Sequence, residues 1–210
     1  MTNNVKEQFH LKPFDLALTA IMAATNFVIC ATVAPALKVV IPQVFLGALI
    51  MVPLDLFFAY TTWAITRKNI FVLYFLIFGL LTVPTTIWGN TPGIFKPFLG
   101  LAIGLLLDLL IMRLNPQTRL AKVTLAVVFP CIFWSLTAIV WSIAGLPIVQ
   151  IFQTMVTSAP FLNSIVPAGF ISTFLTLALL TMPSSFVAIT AAVSTSKRVE
   201  KIVPVSTKQS

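Results

Sequence analysis

Two acidic side chains interrupt the apolar runs of this chain and are the first candidates for chemistry. Asp55 lies twelve residues before Arg67, which places it about 18 Å along a helix from that basic end. An acid at such depth suits proton or cation coupling, but it also suits a hydrogen bond to a hydroxyl or indole of a neighbouring helix. Because no apolar run holds a basic partner or a relay for Asp55, we favour the packing role.

The second acid ends a row of small residues. Gly100, Gly104 and Asp108 are spaced by four residues, so they lie along one ridge of a helix, and small residues at this spacing let another backbone approach closely. Packing against the chain's own helices would be sufficient to explain the ridge. An acid at its end is also suited to a basic group on a partner, and we therefore predict a partner contact here.

Aromatic and amide side chains collect at the opposite ends of the apolar runs. Trp134 and Trp141 share one helical face with Thr137 or Ala138. Trp at the end of a membrane helix usually belongs to the interfacial belt, but Trp134 is too deep for that role and fits a bundle interior or a ligand cavity. We predict an outward-facing pocket for a small, flat or polar solute. Its predicted lining is Trp88, Asn90, Lys96, Trp134, Trp141 and Asn163.

Other reactive side chains lack the spacing that chemistry needs. His10 is the single histidine, and Cys30 and Cys131 lie in apolar runs without a disulfide or metal pattern. The chain has no Gly-x-x-x-x-Gly-Lys-Ser/Thr phosphate loop and no paired carboxylates. We therefore expect no metal, no cofactor and no enzymatic activity.

The composition indicates which elements must position these groups. Hydrophobic residues make up 59% of the 210, charged residues 9%, and the mean hydropathy is +1.04. Soluble domains keep about a quarter of their residues charged, and apolar runs of about 20 residues suit the bilayer core. The polar start and the long run after it do not resemble a cleaved signal peptide. The composition and the apolar runs therefore predict an integral membrane protein.

Proline, glycine and charged residues divide the chain into six predicted transmembrane helices in one all-α bundle. Residues 1–12 form an N-terminal arm, 13–193 the transmembrane domain, and 194–210 a tail that we expect to be disordered. The six predicted spans are Pro13 to Ala34, Pro42 to Ile65, Ile70 to Ile87, Phe95 to Leu114, Ala121 to Ala144, and Asn163 or Ser164 to Ala192.

The basic residues predict the orientation. Eleven of the thirteen fall on one side of the predicted bundle, and Lys38 and Lys96 fall on the other. Short cytoplasmic loops carry the excess of Lys and Arg, so both termini are expected in the cytoplasm of a multi-pass cell-membrane protein. The basic residues are scattered over several loops, which does not indicate a nucleic-acid partner.

The connection from residue 145 to 162 carries no charge. Ile148, Ile151, Phe152 and Met155 recur in it at helical spacing. This pattern is compatible with an interfacial or re-entrant helix folded over the outer helix ends, and equally with an apolar loop on the headgroups.

Size, topology and short motifs together resemble a family. The first predicted helix reads Leu-Ala-Leu-Thr-Ala-Ile-Met-Ala-Ala over residues 16–24, and residues 100–110 are rich in glycine and end in Asp-Leu-Leu. Both resemble the substrate-binding S components of energy-coupling factor (ECF) transporters. The resemblance implies uptake of a vitamin or vitamin precursor with a transmembrane coupling subunit and two ATPases. It also implies that Ala20 and Ala24 dock on the coupling subunit.

The resemblance further implies a solute site on the outer side, built by the last three helices and capped by the loop from Pro35 to Ile41. The absence of an N-terminal metal-binding histidine argues against the nickel and cobalt branch. Two alternatives stay open, namely a stand-alone permease that uses Asp55 and a structural membrane subunit.

Overall fold

The structure is a computed structural model that describes residues 11–89, 91–114, 118–157, 159 and 169–202, with the side chains of residues 156, 157, 200 and 202 excepted. Within these residues the regular structure is entirely helical, which confirms the predicted all-α class. We number the helices in chain order. They are α1 (Pro13–Leu37), α2 (Gln43–Thr66), α3 (Phe71–Thr82), α4 (Lys96–Arg113), α5 (Arg119–Ile143), α6 (Ile148–Thr157) and α7 (Phe170–Ile202).

Five of the described helices are long and apolar enough to cross a membrane. They are α1, α2, α4 with the 3-10 turn Gly93–Phe95 before it, α5 and α7. This finding fits a multi-pass membrane protein. The third predicted span, Ile70 to Ile87, is helical only over the 12 residues of α3, a length of about 18 Å.

The long helices pack in a closed ring. Helix α1 contacts α3 and α2, α2 contacts α7, α7 contacts α5, α5 contacts α4, and α4 returns to α3. Helix α2 is the most enclosed of them, with 61% of its apolar window buried, against 22% for α1. The arrangement thus leaves one broad face of α1 uncovered, whereas most of the α2 surface is covered by its neighbours.

Helix α2 contains a π-helical segment, Leu46–Met51, where the Val52 amide bonds the carbonyl of Gly47. Pro53 follows this segment. A proline inside a helix lacks the amide that would bond the residue four positions earlier, and its ring crowds that carbonyl. The wider π turn relieves this crowding, and the carbonyl of Ala48 accepts a hydrogen bond from the Ser184 hydroxyl of α7 at 3.3 Å.

Helices α3 and α4 lie in backbone contact along their length. A Cβ added at Gly100 would lie 2.1 Å from the carbonyl oxygen of Phe75, and one at Gly104 would lie 2.5 Å from the Cα of Val72. Only glycine permits this approach. At one end of the pair, Asp108 accepts the backbone amides of Phe71 at 3.2 Å and Val72 at 3.0 Å, which satisfies the free N-terminal amides of α3.

The ridge of Gly100, Gly104 and Asp108 is therefore an internal contact. All three residues are buried against α3 of the same chain. The alternative of packing within the bundle accounts for the ridge, and a contact of these residues with a partner stays a prediction. The carboxylate of Asp108 already accepts two amides of the chain itself.

The charge-free connection contains the helix that its spacing indicated. Helix α6 contacts α7, α5 and the first turn of α2. Phe152 is fully buried, whereas Val149 and Gln150 on the other face are exposed. The helical alternative is confirmed over Ile148–Thr157, and its position at the membrane surface stays a prediction.

The end of the chain differs from the expectation of a disordered tail. Helix α7 has 33 residues and continues to Ile202, so residues 194–202 are helical and the expectation is wrong for them. A helix of this length measures about 50 Å, which exceeds the hydrocarbon core of about 30 Å. Ser196 is buried within this extension and its hydroxyl bonds the Val193 carbonyl, so packing accompanies the helix beyond the apolar run.

Candidate functional site

A cavity of about 220 Å³ opens where the C-terminal ends of α1 and α5 meet the first half of α2. The turn after α3 and one residue of α6 complete its wall. The lining includes Lys38, Asp55, Trp88, Trp134, Thr137, Trp141 and Met155.

Three tryptophans form the aromatic wall of the cavity, and the indole N–H of each is already engaged within the chain. Trp88 donates to Asp55 at 2.9 Å, Trp134 to the Thr181 hydroxyl at 3.1 Å, and Trp141 to the Thr91 hydroxyl at 2.7 Å. These bonds hold the rings in place. The rings therefore offer apolar surface to a bound molecule rather than a free donor.

An unusual turn brings Trp88 into this wall. Trp88 and Gly89 both have left-handed backbone torsions, with φ of 64° at each. A left-handed torsion is strained for a bulky residue such as Trp, and strain of this kind persists only where the surroundings hold it. Here the bond to Asp55 and the ring contact with Phe78, whose centroid is 5.3 Å away, hold the indole inward.

Asp55 joins three segments of the chain. Its Oδ1 accepts the Asn26 side-chain amide of α1 at 2.7 Å, and its Oδ2 accepts the Trp88 indole of the turn after α3. The Cys30 thiol in turn donates to the Asn26 carbonyl oxygen at 3.5 Å. The predicted packing bond from Asp55 to an indole is thus present. The same carboxylate lines the cavity, so Asp55 both bonds neighbouring segments and forms part of the cavity wall.

Thr137 contributes to the cavity wall a buried hydroxyl that has no partner among the described residues. Its side chain is 2% exposed, and its hydroxyl makes no hydrogen bond. A buried hydroxyl without a partner costs free energy. The residue lies on α5, one helical turn from both Trp134 and Trp141, so a molecule against the aromatic wall would lie within reach of this hydroxyl.

Helix α6 covers part of the cavity. Met155 lines it, and Phe152 packs behind the wall with ring centroids 5.5 Å from Trp141 and 6.4 Å from Trp134. The Phe152 ring also meets Phe170 at the start of α7, at 5.4 Å. Because Phe152 of α6 contacts the rings of Trp134 and Trp141, a shift of α6 would also shift these tryptophans.

Lys96 does not line this cavity, although the sequence predicted it there. Its ammonium group is buried and donates to the backbone carbonyls of Thr82 and Thr85 after α3. A lysine at this place satisfies carbonyls that the end of a helix leaves open. Lys96 thus holds the turn that carries Trp88, and its contact with a solute stays a prediction.

The structure brings together Trp88, Trp134 and Trp141 as predicted. Asn90 and Asn163 lie outside the described residues. Of the alanines expected to dock on a partner, Ala24 is exposed and Ala20 half-buried on the uncovered face of α1. The cavity borders Pro35 and Lys38 of the expected cap, but of the last three long helices only α5 contributes to its lining.

Sequence reasoning left Asp55 and Thr137 out of the predicted lining, and it missed Asn26 as the partner of Asp55. The signals were present in part, since Asp55 was the single deep acid and Thr137 shared the face of the two tryptophans. Asn26 is a polar residue deep in the first apolar run, and pairing it with Asp55 would have located the contact between the first two spans.

Among the described residues no group of three or more His, Cys, Asp and Glu side chains is arranged to hold a metal ion. Cys30 and Cys131 are free thiols. Comparison with protein-family models, with curated proteins and with solved structures finds no match for this chain.

Proposed function

We propose that this chain is a membrane substrate-binding subunit for uptake of a small solute, and that it works with a separate coupling subunit and ATPases. The observation that carries the proposal is the aromatic-walled cavity with one unpartnered buried hydroxyl, at Thr137. Concave sites of this kind, mostly apolar with few polar groups, are where small molecules bind.

The chemistry of the wall favours a flat solute with a hydrogen-bonding group. The engaged indole N–H groups leave ring surface for stacking, and the Thr137 hydroxyl both donates and accepts. Vitamins and their precursors with a heterocyclic ring combine these properties. The resemblance to ECF S components supports the same solute class and the dependence on partner subunits.

We further propose six membrane crossings with both termini in the cytoplasm. Helix α3 supports this count because its N-terminus lies at Asp108, near the end of α4, and Gly79 in its last turn lies against Lys96 at the start of α4. The two helices thus run antiparallel over the same depth. The distribution of basic residues supports the orientation.

The uncovered face of α1 supports a contact with the coupling subunit. Ala24 is exposed and Ala20 half-buried there, and small residues on a membrane helix permit close approach of another helix. Replacing both by leucine is expected to abolish co-purification of the partner subunits while solute binding by the isolated chain persists. Loss of solute binding in the same variant would instead indicate an effect on the fold.

Binding is tested by tryptophan fluorescence of the purified chain against a panel of vitamins and precursors. We expect quenching by one class of heterocycle, and about a fivefold to tenfold loss of affinity in Thr137→Val, which removes one hydrogen bond of about 1 kcal/mol or slightly more. Thr176→Val is the matched control, because that hydroxyl already bonds the Ser172 carbonyl on α7. Equal effects of the two substitutions would contradict the assignment of Thr137.

Dependence on partners is tested by purification from native membranes and by reconstitution. The proposal expects a coupling subunit and ATPases to co-purify, and the chain alone in liposomes to bind solute without ATP-driven accumulation. Transport by the chain alone, with no partner recovered, would refute the proposed dependence.

A stand-alone permease is the second candidate, and the position of Asp55 in the cavity wall favours it. A carboxylate at a solute cavity within the membrane is a frequent element of ion-coupled transport. In that case proton-dependent uptake by the reconstituted chain would be abolished in Asp55→Asn while solute binding remained. Uptake that requires ATPases and persists in Asp55→Asn would exclude this candidate.

A further inference from the structure

A second cavity of about 220 Å³ lies at the end of the bundle opposite the aromatic wall. Three helices border it: α2 with Tyr60, Trp63 and Arg67, α5 with Lys122, and α7 with Ser196 and Lys197. None of the functional features assigned above involves this cavity. Its lining combines two buried aromatic rings with three cationic side chains.

The charges of the lining are all of one sign. Arg67, Lys122 and Lys197 come from three different helices, and no acid whose side chain the structure describes lines the cavity. The acids whose side chains the structure describes lie elsewhere, with Asp15 bound to the Lys12 amide and Asp55 and Asp108 in the contacts given above. Like charges that converge on one recess repel each other, and a bound anion removes that repulsion.

The start of α5 adds to the positive charge, whereas the C-terminus of α2 at Arg67 carries the opposite partial charge. Lys122 lies in the first turns of α5, close to the N-terminus that begins after the Thr118 cap. The N-terminus of a helix carries a partial positive charge, which adds to that of the lysine. Thus the helix end and the side chains favour an anion at the same place.

The aromatic rings place the recess at the level of lipid headgroups. Tyr60 and Trp63 are buried in the last two turns of α2, and the Arg67 guanidinium lies over the Trp63 ring, 5.6 Å from its centroid. Aromatic and basic residues at the end of a membrane helix mark the interface with the headgroups. Exposed apolar side chains adjoin Lys122 along α5, with Val123 40% and Leu120 76% exposed, and these give acyl chains a surface.

We propose that this cavity binds the phosphate headgroup of an anionic phospholipid from the leaflet at that end. Lys122 and Lys197 pair with the phosphate, Arg67 adds its positive charge from its place over Trp63, and the acyl chains lie along α5. Basic recesses between membrane helices are suited to this chemistry. The inference is independent of which solute occupies the first cavity.

The test uses the full chain in nanodiscs of phosphatidylcholine with or without phosphatidylglycerol. Lipid retained after detergent extraction is measured by native mass spectrometry, and thermal unfolding is measured in parallel. We expect preferential retention of phosphatidylglycerol and a higher unfolding temperature in its presence. In Lys122→Gln/Lys197→Gln affinity should fall about fivefold for each lysine, by the usual attraction of one basic residue to an anionic membrane.

Two controls and one competing ligand complete the design. Arg113→Gln removes an exposed cation at the same end of the bundle, outside the cavity, and should leave retention unchanged. Lys122→Arg/Lys197→Arg keeps the charge and should restore it. Equal retention of both lipids, or an equal effect of Arg113→Gln, would overturn the proposal. Protection by inorganic phosphate at matched ionic strength, without protection by phosphatidylglycerol, would overturn it in favour of a soluble anion.

Discussion

The hydrogen bond between Trp88 and Asp55 can be measured by a double-mutant cycle. Trp88→Phe removes the indole donor, and Asp55→Leu removes the acceptor. In the natural chain the bond joins an N–H to a carboxylate over 2.9 Å, and bonds to charged groups contribute about 1.5–3 kcal/mol. Trp88→Phe should therefore lower the free energy of unfolding by at least that amount, together with the contribution of the lost ring area.

In the Asp55→Leu background the result should differ. The indole N–H then has no acceptor, and a buried donor without a partner costs about 1–3 kcal/mol. Trp88→Phe removes this unsatisfied donor, so its cost falls to the ring area alone or becomes favourable. The coupling free energy between the two positions is the lost bond and the relieved donor together, about 2.5–6 kcal/mol, because the lost ring area is common to both backgrounds and cancels.

The assay is equilibrium unfolding in mixed dodecyl sulfate and maltoside micelles, followed by circular dichroism. Trp141→Phe is the control in both backgrounds, because that indole bonds Thr91 and not Asp55, and its effects should be additive within about 0.5 kcal/mol. A coupling below about 0.5 kcal/mol between Asp55 and Trp88 would refute the inference that the carboxylate holds the aromatic wall. Coupling of the same size for Trp141 would refute its specificity.

Three further substitutions are predicted to act through separate contacts. Gly104→Ala should lower the free energy of unfolding by about 1–3 kcal/mol, because the new Cβ would lie 2.5 Å from the Cα of Val72. Gly47→Ala is the control and should change the free energy by less than about 1 kcal/mol, because its new Cβ would lie 3.8 Å from the nearest side-chain atom, in Trp134. Equal effects of the two substitutions in mixed micelles would contradict the α3–α4 contact. Lys96→Met should cost about 1–3 kcal/mol in the same assay, because it removes the ammonium donor from the Thr85 carbonyl, whereas the Thr82 carbonyl keeps the Thr85 amide and hydroxyl. It should also alter the fluorescence of Trp88, and no change in either measurement would contradict the structural role of Lys96. Phe152→Ala should speed release of bound solute in stopped-flow fluorescence by loosening α6 over the wall, and an unchanged rate would show that α6 does not act as a cover.

The sequence predicted the helices well where length and hydrophobicity determine them. Helix α1 begins at Pro13, where the sequence placed its start, although it continues through Pro35 to Leu37. The third span was predicted as one helix because residues 70–87 are mostly apolar and contain no charged residue. Hydropathy carries no information on the turn that follows Thr82, which depends on Pro84 and on the left-handed torsions at Trp88 and Gly89.

The site was predicted in part, and the errors share one cause. Two of the three cavity tryptophans lie on one face of one helix, so the spacing alone brought Trp134 and Trp141 together. Lys96 was placed in the cavity because it begins a span beside them in depth, but depth along the bundle does not determine direction around it. Its side chain points to α3 and not to the cavity, and only the packing of helices around the ring decides between those directions.

The two rows of small residues, one on α4 and one on α1, have different neighbours, and the sequence alone could not distinguish them. A row of glycines indicates that another backbone approaches closely, but it does not identify that backbone. For Gly100 and Gly104 the neighbour is α3, and the contact is closed by Asp108 at its end. For the alanines of α1 the described chain supplies no covering helix over Ala24. Gly100 and Gly104 are therefore used by the fold, whereas Ala24 on α1 is exposed among the described residues, and it is on that face that the proposed contact with a partner can be tested.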